Sequence, residues 1–320
     1  MYIFKEVILL FYSEGDNINK KKLIKNIKIY GTILILSTST FKLVDNNIYS
    51  YDNFNKTIES EHNINELDSY VLQGVCKVDE YYLVTAYNSI KDNYSKIYIL
   101  DNNFNKVNEK KLDTTSHVGG ITYDDRNKMI WITDNNGTIS SYKKEDVLNE
   151  EQKIYKNRNI YVGDHLENIS GQRSVAYIKY YDKKLYLGNY NWKNKSILKE
   201  YKIDEFGNID HKYKIIKLPS FVQGVSFYEE NDNKYLLISS STGKILPSTL
   251  KIFEYLEDND NYQENELIKY KTRPMMEELE TNEDKLILVY ESNAKIYESI
   301  INKSQNDIIK TNLNKLIKKL

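Results

Sequence analysis

A five-fold internal repeat constrains this chain more than any other feature. Five apolar segments open the units: VLQGV (71–75), HVGGI (117–121), SVAYI (174–178), FVQGV (221–225) and MMEEL (275–279). Each precedes a turn and a second apolar strand, namely YYLVTAY (81–87), MIWITD (129–134), KLYLGNY (184–190), KYLLISS (234–240) and KLILVYES (285–292). A third strand follows each time: KIYIL (96–100), TISSY (138–142), ILKEY (197–201), TLKIFEY (249–255) and AKIYES (294–299). The units start 46, 57, 47 and 54 residues apart, close to the roughly 40 to 50 residues of a four-stranded propeller blade with loop insertions. A single unit leaves an apolar sheet face exposed, and radial stacking covers all of them. The expected fold is all-β, a five-bladed β-propeller, with a six-bladed ring carrying a degenerate first blade at 28–60 as the competing count. The fifth unit shows only three strands before Ile300, so its outermost strand is expected from residues 41–59.

Composition agrees with strands. Twenty-nine tyrosines stand beside only three prolines and twelve glycines, a mixture that favours sheets over disordered or collagen-like chains. Lys and Arg number 45 against 46 Asp and Glu, leaving no basic excess to neutralise phosphates, so a dedicated nucleic-acid binder is excluded. The lone Cys76 rules out an internal disulfide and a cysteine-cluster zinc site; it and Trp131 read as core residues. No apolar run reaches the roughly 18 residues of a spanning helix. After Ser304, Ile309, Leu313, Leu316, Ile317 and Leu320 fall on one helical face, with Lys310, Lys315, Lys318 and Lys319 around the rest. Such a basic amphipathic helix can bind membranes, but the expectation is that it packs on its own domain. The expected division is thus 1–40 as start and signal-like segment, 41–303 as propeller and 304–320 as helix.

The amino terminus reads in two ways. KKKLIKNIK (20–28) running into IYGTILILSTSTF (29–41) has the order of a secretory basic and apolar region, which predicts an extracellular or cell-surface protein. Codons for Glu14-Gly15-Asp16 can spell a ribosome-binding sequence, which places the start of translation near Ile18. If Ile29–Ser37 is instead a first core strand, the protein is cytoplasmic.

In a four-stranded blade the entry to the innermost strand and the loop after the second strand lie on one face. That geometry gathers Gln73, His117, Gln223, Glu277 and Glu278 from the entries, and Tyr87, Asp134, Tyr190, Trp192, Ser240, Ser241, Glu291 and Ser292 from the second-strand ends, at one axial mouth. By position Gln73, Gly119, Ala176, Gln223 and Glu277 are equivalent, followed by Gly74, Gly120, Tyr177, Gly224 and Glu278. Glycines let backbones crowd near the axis, and the unequal polar residues break the symmetry as a specific ligand site requires. Several carboxylates near an axis repel one another unless a cation intervenes or one carboxyl keeps its proton. The first case predicts Ca²⁺ or another divalent cation at the mouth; a plain solvated rim and blade packing by the Gln-Gly pairs are the bland alternatives. Ser241-Thr242-Gly243-Lys244 lacks the earlier glycine and following hydroxyl of a phosphate loop. Trp192, in an Asn-rich loop, suits stacking on a flat ligand.

Taken together, the QGV segment, HVGGI-TYDDRNKMIWI, YYDKKLYLGNY, FVQGVSFY with YLLISSSTG, and RPMMEEL with LVYESNAKIY resemble a family of uncharacterised propeller-like proteins of Gram-positive bacteria, many of them secreted. The resemblance covers residues 68–300 and implies fold and export, with no activity attached. The stretch 221–255 also resembles one blade of plant-type glutaminyl cyclases, which are five-bladed propellers. The leading expectation is a monomer that binds a small molecule or short peptide at the mouth. An enzyme of lactonase, hydrolase or glutaminyl-cyclase type would use Glu277 or Glu291 as base or metal ligand and His117 to orient or protonate substrate. A protein-interaction platform on the rim is the third class.

Overall fold

The computed structural model describes residues 51–318, apart from 65–66, 135–136, 150–152, 163–174, 245, 292–293 and 298–306. After a short helix α1 (Asp52–Asn55), strand β1 (Ile58–His62) crosses to the end of the chain, and four complete sheets follow in order. Blade I is β2 (Tyr70–Val78), β3 (Tyr81–Asn88), β4 (Lys96–Leu100) and β5 (Lys106–Lys111). Blade II is β6 (Ile121–Asp124), β7 (Met129–Thr133), β8 (Thr138–Lys143), then helix α2 (Lys144–Leu148) and β9 (Arg158–Tyr161). Blade III is β10 (Tyr177–Tyr181), β11 (Lys184–Gly188), β12 (Ile197–Ile203) and β13 (Ile209–Lys217). Blade IV is β14 (Val222–Glu230), β15 (Asn233–Ser240), β16 (Ser248–Glu254) and β17 (Ile268–Thr272). Blade V takes β18 (Met276–Asn282), β19 (Lys285–Tyr290) and β20 (Ile308–Asn312) from the end of the chain and β1 from its start. Pairing is antiparallel throughout, and the inner strands β2, β6, β10, β14 and β18 touch one another in a closed ring. The protein is a five-bladed β-propeller.

Ring closure rests on β1 against β20, reinforced by Ile64 N–H donating to Asp307 Oδ2 at 2.8 Å and by the two-pronged Arg273 to Glu61 pair at 2.8 and 2.7 Å. The closing strand is Ile58–His62, at the edge of the expected 41–59 window, and it completes blade V; the residues 28–50 of the six-blade alternative lie outside the described residues. Two other expectations need correction. Residues 294–297 of the expected third strand are no strand: Lys295–Tyr297 is a 3-10 turn, with Ala294 and Tyr297 buried against Val71 and Met275, and the third strand is β20. The carboxy-terminal helix α3 (Leu313–Ile317) is correspondingly shorter than 304–320. The apparent helical stripe arose because Ile308 and Ile309, buried from a strand, precede Leu313, Leu316 and Ile317, buried from a helix. That helix packs on its own domain, its apolar residues sharing a core with Phe54 of α1 and Leu250, Tyr270 and Leu286 of blades IV and V. No helix among the described residues is long and apolar enough to cross a membrane. Cys76 and Trp131 are core residues.

Blade III departs from its neighbours at one contact. Tyr177 lies where blades I, II and IV have glycine, and its ring passes over Gly188 so closely that a Cβ there would sit 2.0 Å from ring carbons. A Gly188→Ala substitution is expected to destabilise the protein by about 2 kcal/mol or more, since overpacking forces rotamer and backbone shifts. Urea denaturation checks this, and a Tyr177→Leu/Gly188→Ala double variant should lose less than the sum of the single losses.

Candidate functional site at the axial mouth

Three inner strands carry one extra residue where they enter the sheet. Pairing runs from Leu72 with Ala86 to Val75 with Val84, from Val222 with Ser240 to Gly224 with Ser239, and from Met276 with Tyr290 to Leu279 with Leu288. These are β-bulges, which re-aim side chains out of strict alternation, and they fall on Gln73-Gly74, Gln223 and Glu277-Glu278. Hydroxyls of the second strands pin this region. Gly74 N–H donates to Thr85 Oγ1 at 2.9 Å, Gly120 N–H donates to Thr133 Oγ1 at 2.9 Å, and Ser239 Oγ donates to Gly224 O at 3.3 Å.

The equivalent positions 74, 120, 177, 224 and 278 do not share one role. Glu278 sends its carboxylate across the axis, where Oε2 accepts N–H bonds from Val75 and Ile121, each at 3.1 Å. A Cβ on Gly74 would lie 2.6 Å from that oxygen, and one on Gly224 would lie 2.9 Å from Glu278 Cα. The two glycines therefore make room for the one glutamate. Below it, Lys179 Nζ meets Glu280 Oε2 at 2.5 Å, joining β10 to the non-adjacent β18 with both side chains buried.

Above Glu278 lies a carboxylate pair. Gln223 Nε2 donates to Glu277 Oε1 at 3.1 Å; Gln73 Nε2 donates to Glu291 Oε2 at 3.4 Å, and Tyr297 Oη donates to the same oxygen at 3.2 Å. Tyr297 is also hydrogen-bonded to Tyr87, whose ring meets His117 edge-on with centroids 4.2 Å apart. Tyr190 feels the charge of both Glu277 and Glu291 and donates to Ser241 O at 3.4 Å. Burial is the main cause that holds the Glu277 carboxyl well above the ordinary range, with the Glu291 and Glu278 charges adding to it. Burial likewise pushes Glu291 up to about 7, against the hydrogen bonds from Tyr297 and Gln73 and the Lys244 charge.

The structure thus brings together Gln73, Tyr190, Gln223, Glu277 and Glu291, with the exposed His117 joined through Tyr87 and Tyr297. Glu278 lies beneath them in the shaft, bound to backbone. Asp134 is engaged elsewhere, by Lys156 at 2.6 Å, Thr114 at 2.7 Å and Ser140 at 3.1 Å. Trp192 stands 55% exposed with Lys193 over its ring, and Ser240 is buried at the end of β15. Ser292 lies outside the described residues. Sequence reasoning missed Tyr297, read as strand, and Lys244, dismissed with the false phosphate loop; Lys244 Nζ sits 4.7 Å from the centre of the Tyr297 ring. Among the described residues no group of three or more His, Cys, Asp or Glu side chains converges as a metal cluster. The oxygens of Glu277, Glu291 and the two glutamines are nevertheless hard donors of the kind Ca²⁺ accepts.

No family model and no curated protein matches the chain. Among solved structures it is similar to the WD40 β-propeller domain of Doa1, at 12% identity over 75% of this chain and 69% of that one, with a TM-score of 0.35. It is similar also to the β-propeller domain of Myceliophteria thermophila Cps50 (Swd1), at 9% identity, 78% and 73% coverage and a TM-score of 0.37. U3-55K matches at 9% identity over 80% of this chain and 100% of that one, with a TM-score of 0.44. At such identities the likeness concerns the fold, which strand pairing already establishes.

Two outcomes are expected from this geometry. Glu278→Ala strands two buried amides and should cost about 2 to 4 kcal/mol, whereas Glu278→Gln keeps an acceptor and should cost much less; chemical denaturation of the two variants decides. For Glu277 and Glu291 the folded state holds the proton more tightly than the unfolded chain. The Glu291 contribution is therefore fully present below about pH 4.5 and is lost as pH rises through about 7, and Glu277, raised in the same direction by burial, adds to the loss. Thermal stability should fall across that window by on the order of 2 kcal/mol, and a Glu277→Gln/Glu291→Gln variant should flatten the curve.

Proposed function

We propose that this propeller is a binding module that takes a small molecule or short peptide at its axial mouth. The observation that carries the reading is the convergence of Gln73, Tyr190, Gln223, Glu277 and Glu291 from four blades, three of them on strand bulges, where polar groups break the pseudo-symmetry. Bulges beside a site serve to re-aim side chains, and a few convergent polar groups fix orientation and specificity in a ligand site. No Ser, Thr, Cys or Lys nucleophile is among these residues. A second reading is favoured by Glu291, which burial holds near 7 in hydrogen-bond contact with Tyr297: acid–base catalysis by Glu291 with Glu277, His117 orienting the substrate through its end of the tyrosine chain.

Ligand-observed NMR with a library of small polar molecules and tripeptides tests the reading. Saturation transfer to the wild-type protein is expected, with affinity at least ten-fold weaker in a Tyr190→Ala/Gln223→Ala variant and unchanged in the rim control Lys202→Ala. Hits insensitive to the mouth variant would overturn it, and chemical turnover of a hit would favour the enzyme.

A further inference from the structure

The polar lining of the mouth is one-sided. The Gln73 amide donates to Leu72 O and Glu291, the Gln223 amide to Glu277, Tyr297 Oη to Glu291 and Tyr190 Oη to Ser241 O. Both N–H groups of Gln73 and one of Gln223 are thus directed at protein oxygens. The acceptors outside these bonds, Glu277 Oε2, Glu291 Oε1 and the amide oxygens of Gln73 and Gln223, outnumber the second N–H that Gln223 keeps. In the shaft below, Glu278 Oε1 is buried with no hydrogen-bond partner, its side chain only 2% exposed. Tyr87 and Tyr297 are hydrogen-bonded to each other beside Glu291, Tyr190 feels both carboxyl groups, and the Tyr297 ring already attracts a positive charge. Lys244, from the loop after β15, holds its ammonium 4.7 Å from the centre of the Tyr297 ring, and its charge acts on Glu291.

We propose that the mouth recognises an organic ammonium, such as the end of a lysine-like side chain, an alkylamine or a peptide amino terminus, and that Lys244 is a tethered ammonium which the ligand displaces. The inference rests on the reading of the mouth as a ligand site and names the ligand's chemistry. An ammonium presents three donors and no acceptor, the complement of these acceptor oxygens. A charge-assisted bond to the Glu277–Glu291 pair, whose ionised form an arriving cation favours, supplies the attraction, and the Tyr297 ring adds a cation–π contribution. A divalent cation instead requires six to eight oxygens, while the carboxylates here already share oxygens with Gln73, Gln223 and Tyr297.

The test is titration of the full chain with n-butylammonium and Nα-acetyl-lysine methylamide, against n-butanol, butyrate and CaCl₂ at constant ionic strength, read by tyrosine fluorescence and NMR. Both ammonium probes should bind, at least ten-fold more weakly to Glu277→Gln/Glu291→Gln and about two- to five-fold more tightly to Lys244→Ala. Circular dichroism establishes that the variants are folded, and Lys244→Ala, on an exposed loop, keeps the test independent of carboxylate effects on stability. If n-butanol, butyrate or Ca²⁺ binds at the mouth while the ammonium probes do not, the ammonium inference is overturned and the ligand site stands. If ammonium binding is unaffected by both variants, the inference is overturned, and library hits that ignore Tyr190→Ala/Gln223→Ala remove the site itself.

Discussion

The centre of this propeller depends on where one carboxylate goes. Five inner strands converge on an axis too narrow for five side chains of ordinary size, and every backbone group there must find a partner away from water. Glu278 meets both demands. Its carboxylate reaches from blade V to the amides of Val75 in blade I and Ile121 in blade II, so that three blades share one acceptor. Gly74 and Gly224 are small because that side chain runs past them. Tyr177 takes the corresponding space in blade III and in turn requires Gly188 beneath its ring.

This packing sets the electrostatics above it. Glu278 holds Glu277 beside it on the same bulge, and the loop after β19 brings Glu291 close, so carboxyl groups accumulate in a region that burial makes hostile to charge. The lower end of the shaft solves its own version of the problem with a buried pair, Lys179 and Glu280. At the mouth the compensation is incomplete. Neutral amides and phenols approach the carboxylates, and a cation, Lys244, rests over Tyr297. The proposed ammonium ligand would carry the charge that this end of the shaft lacks.

Much of the fold was legible along the chain because blades are local. Each hairpin pairs segments only a few residues apart, so VLQGV with YYLVTAY or FVQGV with KYLLISS announces itself through period-2 alternation and spacing. The closure was legible only in outline. β20 and β1 lie at opposite ends of the described chain, and nothing local distinguishes IIKTN before a helix from the first turn of that helix. The same limit explains Tyr297, whose segment alternates like a strand but folds as a 3-10 turn to fill the space beside Val71 and Met275.

For the site, residue type and position in the repeat were enough to nominate Gln73, Gln223, Glu277 and Glu291, since equivalent positions in a pseudo-symmetric ring must face the same axis. They could not separate Glu277 from Glu278. Adjacent residues differ only in how a bulge turns them, and that rotation follows from the register of β18 on β19. Asp134 occupies a second-strand end as Tyr87 and Tyr190 do, yet Lys156 and two hydroxyls claim it. The sequence by itself determined the repeat, the all-β propeller class and the ring of candidate polar positions, because these depend on local pairing and periodicity, while five blades rather than six followed from the pairing of β1 with β20. Only the tertiary structure decided which carboxylate bridges blades, which face the mouth and which cation stands beside them, because those depend on contacts between segments roughly fifty to two hundred residues apart.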